Sequence, residues 1–525
     1  VKSSVKDEAN VQNDLNLLVN SDLIYRQRRV QGENYIFRHA LIRDAAYEGM
    51  VSANRKKVHK RIADTLVSDS NKGTDGELRI VAHHFERAHL FEKAYEYWLN
   101  SALFSRQKGG VFNDTIFYLN KALQHVNAID NKSKKIEAEI RIYNLLGESE
   151  LYLSGFTSPK VEENHEKAFQ LAFDSDISLD LKYEVLNGRC FNKINRADVN
   201  GAVEIVEKLS NTSTLNVSIS NLVAALTNEC YVSYLKADYL EVCNISKKVN
   251  ELGEKNAVEK GDPLEPYSLS IIKSFEFISN IFLGNIVESD KQISTILKEV
   301  EAMGLPHVIA GTYMQIAFSY LIKASYLEDA DNELDDAIDY LKKSLDLAKE
   351  CGLDFIVVSG NLMSKAISLL KGELDSEEPF LQLLNQTGMP AFREWYLLFV
   401  IKHLYDKKAY SKALIYVNKG IDKCQLSGIN YSLPYYYCFK GMLQFQTEDK
   451  NYEKWFLECI EFTQEGEMKW AELYCNYQYA MLAKEEKFTS INQRIIQNRL
   501  ASLPDFENRT VNESQLVQKL IKINQ

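Results

Sequence analysis

The sequence predicts an all-α fold in which helices stack in pairs as a right-handed α-solenoid, behind a short mixed segment at the N-terminus. Its 525 residues include only 8 Pro and 23 Gly, which is too few turn-formers for a large β protein. Amphipathic helical patterns recur in pairs with a period of roughly 35–48 residues. A helix pair of that size cannot bury its apolar faces alone, so we expect neighbouring pairs to stack.

The first 67 residues follow a different plan. A helical stripe ends near Asn20, and Leu23–Val30 then has the composition of a strand. Gln31–Asn34 is typical of a turn and Tyr35–Phe37 of a return strand, after which helical spacing resumes. The stripe before the hairpin consists of Val11, Leu15, Leu18 and Val19, and those after it include Leu41, Ala45, Ala46, Val58, Ile62 and Leu66. Helix, hairpin and helix describe the end of a winged-helix domain, which we place at residues 1–67.

A polar, Gly-containing stretch, Ser68–Glu77, predicts a linker at residues 68–77. Helical repeats are predicted from residue 78 to residue 510, followed by a C-terminal helix over 511–525. The predicted starts of successive helix pairs lie near Ala138, Leu179, Asn216, Leu264, Leu305, Leu353, Pro390, Ser432 and Met468.

Several second helices share one packing pattern: a small residue, a bulky residue four positions later, and a small residue three positions after that. Small residues let adjacent helices approach, and the bulky side chain fills the gap. The pattern resembles the tetratricopeptide repeat, so we expect degenerate tetratricopeptide-like helix pairs. It occurs in Lys93–Ala102, Thr115–Leu123, Ala337–Leu345 and Ala413–Ile421.

The net charge of −11 is unevenly distributed. Residues 21–65 carry 10 Lys and Arg against 5 Asp and Glu, a net of +5, so the remainder carries −11 − 5 = −16. An acidic body is unsuited to binding nucleic acid, because neutralising phosphates requires Lys and Arg. The basic residues Arg55, Lys56, Lys57, Lys60 and Arg61 form a candidate interface, either for an acidic partner domain or for DNA.

The eight cysteines show no CxxC pairing, and we expect reduced, buried thiols and a cytoplasmic protein. No apolar run is long enough to cross a bilayer. The chain begins at Val1 rather than Met, so we expect it to be part of a longer protein. Its 29 tyrosines suit either binding anchors or repeat packing, and the sequence does not separate the two.

One combination of residues is specific: Tyr35–Tyr47, followed by Arg55, His59 and Arg61–Ala63. It resembles the junction between winged helix and repeats in STAND-type signalling ATPases. The resemblance continues through Ala82–Ala88, Ala94–Trp98, Leu146–Gly147 and Gly155–Glu162, and it fades near residue 175. Bacterial members of that group often carry class III cyclase or Ser/Thr kinase domains, so the resemblance implies an upstream ATPase with such an output.

The sequence has no GxxxxGK[ST] loop and no catalytic motif, so we predict no enzyme activity and no cofactor in this chain. No metal site is predicted either, because no metal-binding arrangement of residues is present. ATP or ADP would bind upstream in the longer protein. His39 and Arg43 resemble part of the winged-helix Met-His-Asp motif, whose His senses the nucleotide, although Arg38 and Ala40 replace its Met and Asp. The alternative is that His39 is a packing residue. His83, His84 and His89 lack a metal-binding arrangement and are expected to pack within the repeats.

The leading hypothesis is a sensor and scaffold region that binds a protein or peptide in the groove of its repeats. The winged helix would then pass the binding event to the ATPase domain of the same protein. The alternative is a transcription regulator whose winged helix contacts DNA while the repeats sense a ligand. No membrane partner is expected, and nucleic acid fits the acidic repeats poorly.

Overall fold

The computed structural model describes residues 7–29, 32–69, 75–107, 112–155, 157–211, 217–260, 266–325, 331–386 and 390–485. The chain divides into two compact units, Val1–Leu145 (unit 1) and Leu146–Gln525 (unit 2). The predicted C-terminal helix at 511–525 lies outside the described residues, as does the end of the predicted repeats after residue 485.

The elements of unit 1 are α1 (Glu8–Asn20), β1 (Ile24–Arg29), β2 (Gly32–Phe37), α2 (Ala40–Glu48), α3 (Ser52–Asp69), α4 (Asp75–Arg87), α5 (Phe91–Gln107), α6 (Phe112–His125), a 3-10 turn at Val126–Ala128, and the first part of α7 (Lys132–Ser154). The elements of unit 2 are the rest of α7, α8 (Pro159–Phe173), α9 (Leu179–Asn195), α10 (Val199–Ser210), α11 (Ile219–Leu235), α12 (Tyr239–Lys260), α13 (Pro266–Phe282), α14 (Ile286–Met303), α15 (Pro306–Ser325), α16 (Asp331–Glu350), α17 (Asp354–Leu370), α18 (Glu378–Gln386), a 3-10 turn at Pro390–Phe392, α19 (Arg393–Asp406), α20 (Tyr410–Ser427), α21 (Leu433–Gln446), α22 (Tyr452–Glu465) and α23 (Lys469–Glu485).

The predicted order of helix, hairpin and helix is confirmed at the start of unit 1, whereas its identity as a winged helix stays a prediction. The predicted turn at Gln31–Asn34 is wrong. Strands β1 and β2 pair in antiparallel register from Ile24–Phe37 to Arg29–Gly32, so Gly32, Glu33 and Asn34 belong to the second strand. Gly and Asn are typical of turns, but Gly32, Glu33 and Asn34 pair with residues of β1 as part of the strand.

The predicted linker at 68–77 overlaps the ends of two helices. Helix α3 continues to Asp69 and α4 begins at Asp75, so both helices extend into it. The Ser68 hydroxyl donates to the Thr65 carbonyl oxygen at 2.8 Å, which satisfies this polar side chain within the last turn of α3. The polar composition indicated a linker, yet polar residues are equally compatible with an exposed helix end. The boundary between the two compact units falls within α7 instead.

Helix pairs follow one another through the rest of the described chain. Eight of the nine predicted pair starts lie within three residues of an observed helix start, and only the first is further away, at α7. The packing pattern of the second helices is also confirmed. In α5, α6, α16 and α20 the small and bulky positions are almost fully buried, for example Ala337, Leu341 and Ser344. Unit 2 is thus built of tetratricopeptide-like helix pairs.

The first helices of the pairs form the inner layer of unit 2. From α9 to α23, each odd-numbered helix contacts the next odd-numbered helix. These helices are apolar around most of their circumference; α19, for example, buries every residue from Glu394 to Ile401. The even-numbered helices are amphipathic and expose a polar face. The later tyrosines pack in this interior, where Tyr435, Tyr436, Tyr474, Tyr477 and Tyr479 are buried.

Contacts between pairs that are distant in sequence close much of this inner layer. The Leu235 carbonyl oxygen at the end of α11 accepts hydrogen bonds from the backbone amides of Asn430 and Tyr431, at 2.7 and 3.2 Å. The rings of Tyr234 and Tyr431 stack with centroids 5.5 Å apart. Instead of the open groove expected along the repeats, the interior is largely filled by aromatic side chains.

All eight cysteines are free, and six of them are buried, in agreement with the expected reduced thiols. Burial raises the pKa of Cys190 and Cys424 to about 12, which keeps both as unreactive thiols. Within the described residues, no helix has the length and apolar character needed to span a bilayer.

Candidate functional site

An apolar pocket opens into the inner layer of unit 2. It lies between α7, α9, α11, α13, α15, α17 and α19, and its empty space, including the open mouth, is about 1080 Å³. None of the described residues that line it is Asp, Glu, Lys or Arg. The lining residues are Leu151, Tyr152, Phe191, Asn195, Tyr231, Ser270, Ile271, Ser274, Phe275, Ile278, His307, Val308, Gly311, Thr312, Met314, Gln315, Phe318, Phe355, Ile356, Met363, Phe392 and Tyr396.

Aromatic rings form a continuous series along the wall of the pocket. Phe191 meets Tyr231 with ring centroids 6.3 Å apart, and Tyr231 meets Phe275 at 4.6 Å. Phe318 meets Phe392 and Tyr396, each at 5.7 Å. Rings at these separations pack favourably and resist rotation. The wall is therefore a preorganised apolar surface, typical of sites that accept an uncharged apolar group.

The hydroxyl and amide groups around the pocket are mostly occupied within the protein. Ser274 and Thr312 donate to the carbonyl oxygens one turn earlier on their own helices, at 2.7 and 2.9 Å. The Asn195 side chain accepts from the Tyr231 hydroxyl at 3.1 Å and donates to the Phe191 carbonyl oxygen at 2.8 Å. The pocket thus offers a ligand mainly apolar surface and only a few hydrogen-bonding groups.

The pocket was not predicted from the sequence, although the sequence contains a periodic pattern of the aromatic residues that line it. Phe191, Tyr231 and Phe318 each occupy the thirteenth residue of the first helix of a pair, in α9, α11 and α15. Residues at equivalent positions of stacked repeats lie side by side, so a recurring aromatic residue predicts an aromatic wall. The general expectation that repeats use aromatic residues for packing concealed this regularity.

The two nucleotide-sensing candidates lie at the start of α2. His39 is the N-cap residue of this helix, is exposed and makes no side-chain capping hydrogen bond. Arg43 is also exposed, and its Nε donates to Asp44 Oδ1 at 2.8 Å. Because His39 and Arg43 are four residues apart at the beginning of one helix, they lie on the same side of it. Their proposed sensing role stays a prediction.

Four of the five basic interface candidates lie towards one side of α3. The Arg55 guanidinium lies 5.4 Å from the centroid of the Tyr47 ring, and Lys60 forms an ion pair with Asp64 at 2.6 Å. Two guanidinium nitrogens of Arg61 are buried. At about 100° per residue, Lys56, Lys57, Lys60 and Arg61 fall within an arc of about 140°, and Arg55 lies outside it.

Histidines connect α3 to the first repeat helix. His59 Nδ1 lies 2.7 Å from His84 Nδ1, and His59 Nε2 lies 3.0 Å from the Tyr47 hydroxyl. Such a contact requires one Nδ1 to donate and the other to accept, so the two rings cannot both be protonated. Burial, together with His59 and His83, lowers the pKa of His84 to about 4. The expected packing role of His83 and His84 is realised with His59 rather than with His89.

No protein-family model matches the sequence, and no curated protein is significantly similar to it. Among solved structures, a Rap protein complexed with competence and sporulation factor is 9% identical with a TM-score of 0.41, over 82% of this chain and 99% of that one. The Cut9–Hcn1 hetero-tetramer of the APC/C is 14% identical with a TM-score of 0.44, over 91% and 95%.

A STAND protein with a tetratricopeptide-repeat sensor from Pyrococcus horikoshii is also similar. It is 14% identical with a TM-score of 0.32, over 97% of this chain and 60% of that one.

Proposed function

We propose that this chain is a sensor and scaffold region that binds a protein or peptide, and that the pocket of unit 2 holds an apolar anchor of that partner. The observation that supports the proposal is the uncharged aromatic lining of the pocket. Large apolar side chains that enter preformed pockets supply most of the binding energy in protein complexes. A charged group would be excluded, because its burial without a counter-charge is costly.

We further propose that unit 1 passes the binding event to an upstream STAND-type ATPase, which binds ATP or ADP and carries the output domain. The support is the resemblance of residues 35–63 and 82–98, together with the histidine contact that connects α3 to α4. A ligand shifts such a switch only if it favours one arrangement of the protein over the other. No catalytic step is assigned to this chain.

The pocket offers a direct test of binding. A phage-displayed library of linear peptides is selected against the wild-type chain, and the affinity of selected peptides is measured by isothermal titration calorimetry. In Gly311→Leu a side chain fills the pocket from α15, where a Cβ atom would meet nothing within 4 Å. We expect selected peptides to bind the wild type and to lose at least tenfold in affinity for Gly311→Leu.

Gln382→Leu is the control, because it introduces the same side chain at an exposed position of α18 that does not line the pocket. Circular dichroism and thermal unfolding establish that both variants fold. Peptides that bind all three proteins equally would overturn the pocket as the binding site. Deleting the repeats from the longer protein and measuring its ATPase activity tests the regulatory part, and unchanged activity with and without the peptide would contradict it.

A further inference from the structure

One helix-interior glycine in unit 2 is not explained by packing. At Gly360 and Gly441, an added Cβ would lie 2.6 Å from Leu345 and 2.7 Å from Phe456, and at Gly420 it would meet the Tyr436 ring even more closely. These glycines permit close approach of neighbouring helices. Gly311 lies inside α15 as well, yet a Cβ there would meet nothing within 4 Å. Glycine costs a helix about 1 kcal/mol relative to alanine, so a position with free space for Ala calls for another reason.

Gly311 lies at the centre of the face that α15 turns to the pocket. His307, Gly311, Gln315 and Phe318 all line the pocket, and their spacing of four, four and three residues places them along one side of the helix. The missing side chain leaves the backbone of α15 exposed between the rings of His307 and Phe318. Glycine is the residue that allows another backbone to come close.

Gln315 adds hydrogen-bonding capacity one turn from Gly311. Its carboxamide makes no hydrogen bond to any of the described residues, and its side chain is only partly buried. This contrasts with Ser274, Thr312 and Asn195, which are paired within the protein. A carboxamide carries both a donor and an acceptor, which match the C=O and N–H of a peptide group.

We propose that the pocket binds an extended peptide segment whose main chain crosses α15 at Gly311 and exchanges hydrogen bonds with the Gln315 carboxamide. An uncharged aromatic or branched aliphatic side chain of the peptide enters between Phe275, Phe318 and Tyr396. The inference rests on the proposed function and specifies its partner. Electrostatic complementarity supports the uncharged anchor, since no carboxylate, ammonium or guanidinium group lines the described pocket. An apolar small molecule would make no use of the donor and acceptor of the Gln315 carboxamide.

The experiment uses one peptide selected from the linear library. The unmodified peptide is compared with a series of variants, each of which carries one N-methylated amide at a different position. Calorimetry measures their affinities for the wild type and for Gln315→Leu. Gln382→Leu is the matched control, because Gln382 is exposed on α18 and does not line the pocket. We expect Gln315→Leu to weaken binding of the unmodified peptide roughly tenfold, and Gln382→Leu to leave it unchanged.

N-methylation of the peptide amide that donates to the Gln315 carboxamide should weaken binding to the wild type by a similar factor. In Gln315→Leu the same methyl group should have little further effect, because both changes remove one interaction. Equal affinity of the wild type and Gln315→Leu for a peptide that Gly311→Leu rejects would overturn this inference and leave the proposed function standing. If no library peptide binds the wild type, while toluene raises the unfolding temperature of the wild type and not of Gly311→Leu, both are overturned in favour of a small apolar ligand.

Discussion

In unit 2 the first helices of the pairs are apolar on almost every side, and α19 buries eight consecutive residues from Glu394 to Ile401. In unit 1, by contrast, neither α1 nor α2 contains a buried residue. Large apolar side chains there face solvent: Leu41 is 81% exposed, Val51 67% and Leu17 65%. A part-buried contact between His59 and His84 joins α3 to α4 in unit 1, whereas the interior of unit 2 is filled by aromatic rings.

The difference separates two physical roles. An interior of interlocked rings holds a pocket in a fixed shape, which reduces the entropy lost when a ligand binds. Helices without buried residues, such as α1 and α2, and a titratable contact between α3 and α4 respond more readily to their surroundings. This contrast supports the proposed division between a ligand-binding unit 2 and a coupling unit 1.

The largest expected effect is in the aromatic interior. Trp395 is fully buried and stacks with Tyr431 and Phe282, at centroid distances of 5.7 and 6.0 Å. Trp395→Ala should lower the free energy of unfolding by about 3–5 kcal/mol, as measured by urea unfolding. Leu41→Ala, at an exposed apolar position of unit 1, should change it by less than about 0.5 kcal/mol. Similar losses in both variants would remove the contrast between the units.

Two glycines within unit 2 should respond in opposite directions to the same substitution. Gly420→Ala places a methyl group against the buried Tyr436 ring, and such overpacking typically costs about 1–3 kcal/mol. Gly311→Ala places a methyl group in free space within a helix, and should gain up to about 1 kcal/mol. Thermal unfolding measures both, and a destabilised Gly311→Ala would contradict the open space assigned to the pocket.

Acid should weaken unit 1 through His84. Its pKa is lowered to about 4 in the folded protein, so between pH 6.5 and pH 4 the unfolded chain binds a proton that the folded chain does not. Stability is therefore complete above pH 6.5 and decreases as the pH falls towards 4. Allowing for partial exposure, the loss is about 1–2 kcal/mol.

His84→Asn should flatten the pH dependence of urea unfolding over this range. His165 in unit 2 is buried and its pKa is also lowered to about 4, so it adds a pH dependence of its own. The contribution of His84 is therefore the difference between the wild type and His84→Asn in the slope of unfolding free energy against pH. Equal slopes for His84→Asn and the wild type would show that the histidine contact carries no pH dependence.

The smallest expected effect is at the basic residues of α3. Lys56 and Lys57 make no ion pair within the described residues, so replacing both by Ala should change the free energy of unfolding by less than about 0.5 kcal/mol. Gel-shift titration with duplex DNA should detect no salt-sensitive binding by the wild type. Salt-sensitive binding that the double variant loses would favour the DNA-contacting alternative.

Periodic features of this protein could be predicted from the sequence, and features that depend on contacts across the fold could not. Ala337, Leu341 and Ser344 indicated a packed second helix because their spacing is local. The pocket depends on α7 meeting α15 and α17, far apart in sequence, and no spacing rule brings Tyr152 to within 5.8 Å of His307. The contact between His59 and His84 was missed for the same reason, since 25 residues separate them.

Hydrogen–deuterium exchange, with and without the selected peptide, tests most directly whether unit 2 is the binding unit. Peptide binding should slow amide exchange in α13 and α15 above all, because these helices contribute the largest share of the pocket lining. In Gly311→Leu this protection should disappear. Protection confined to α4, α5 and α6 of unit 1, with no change in α13 or α15, would contradict the account.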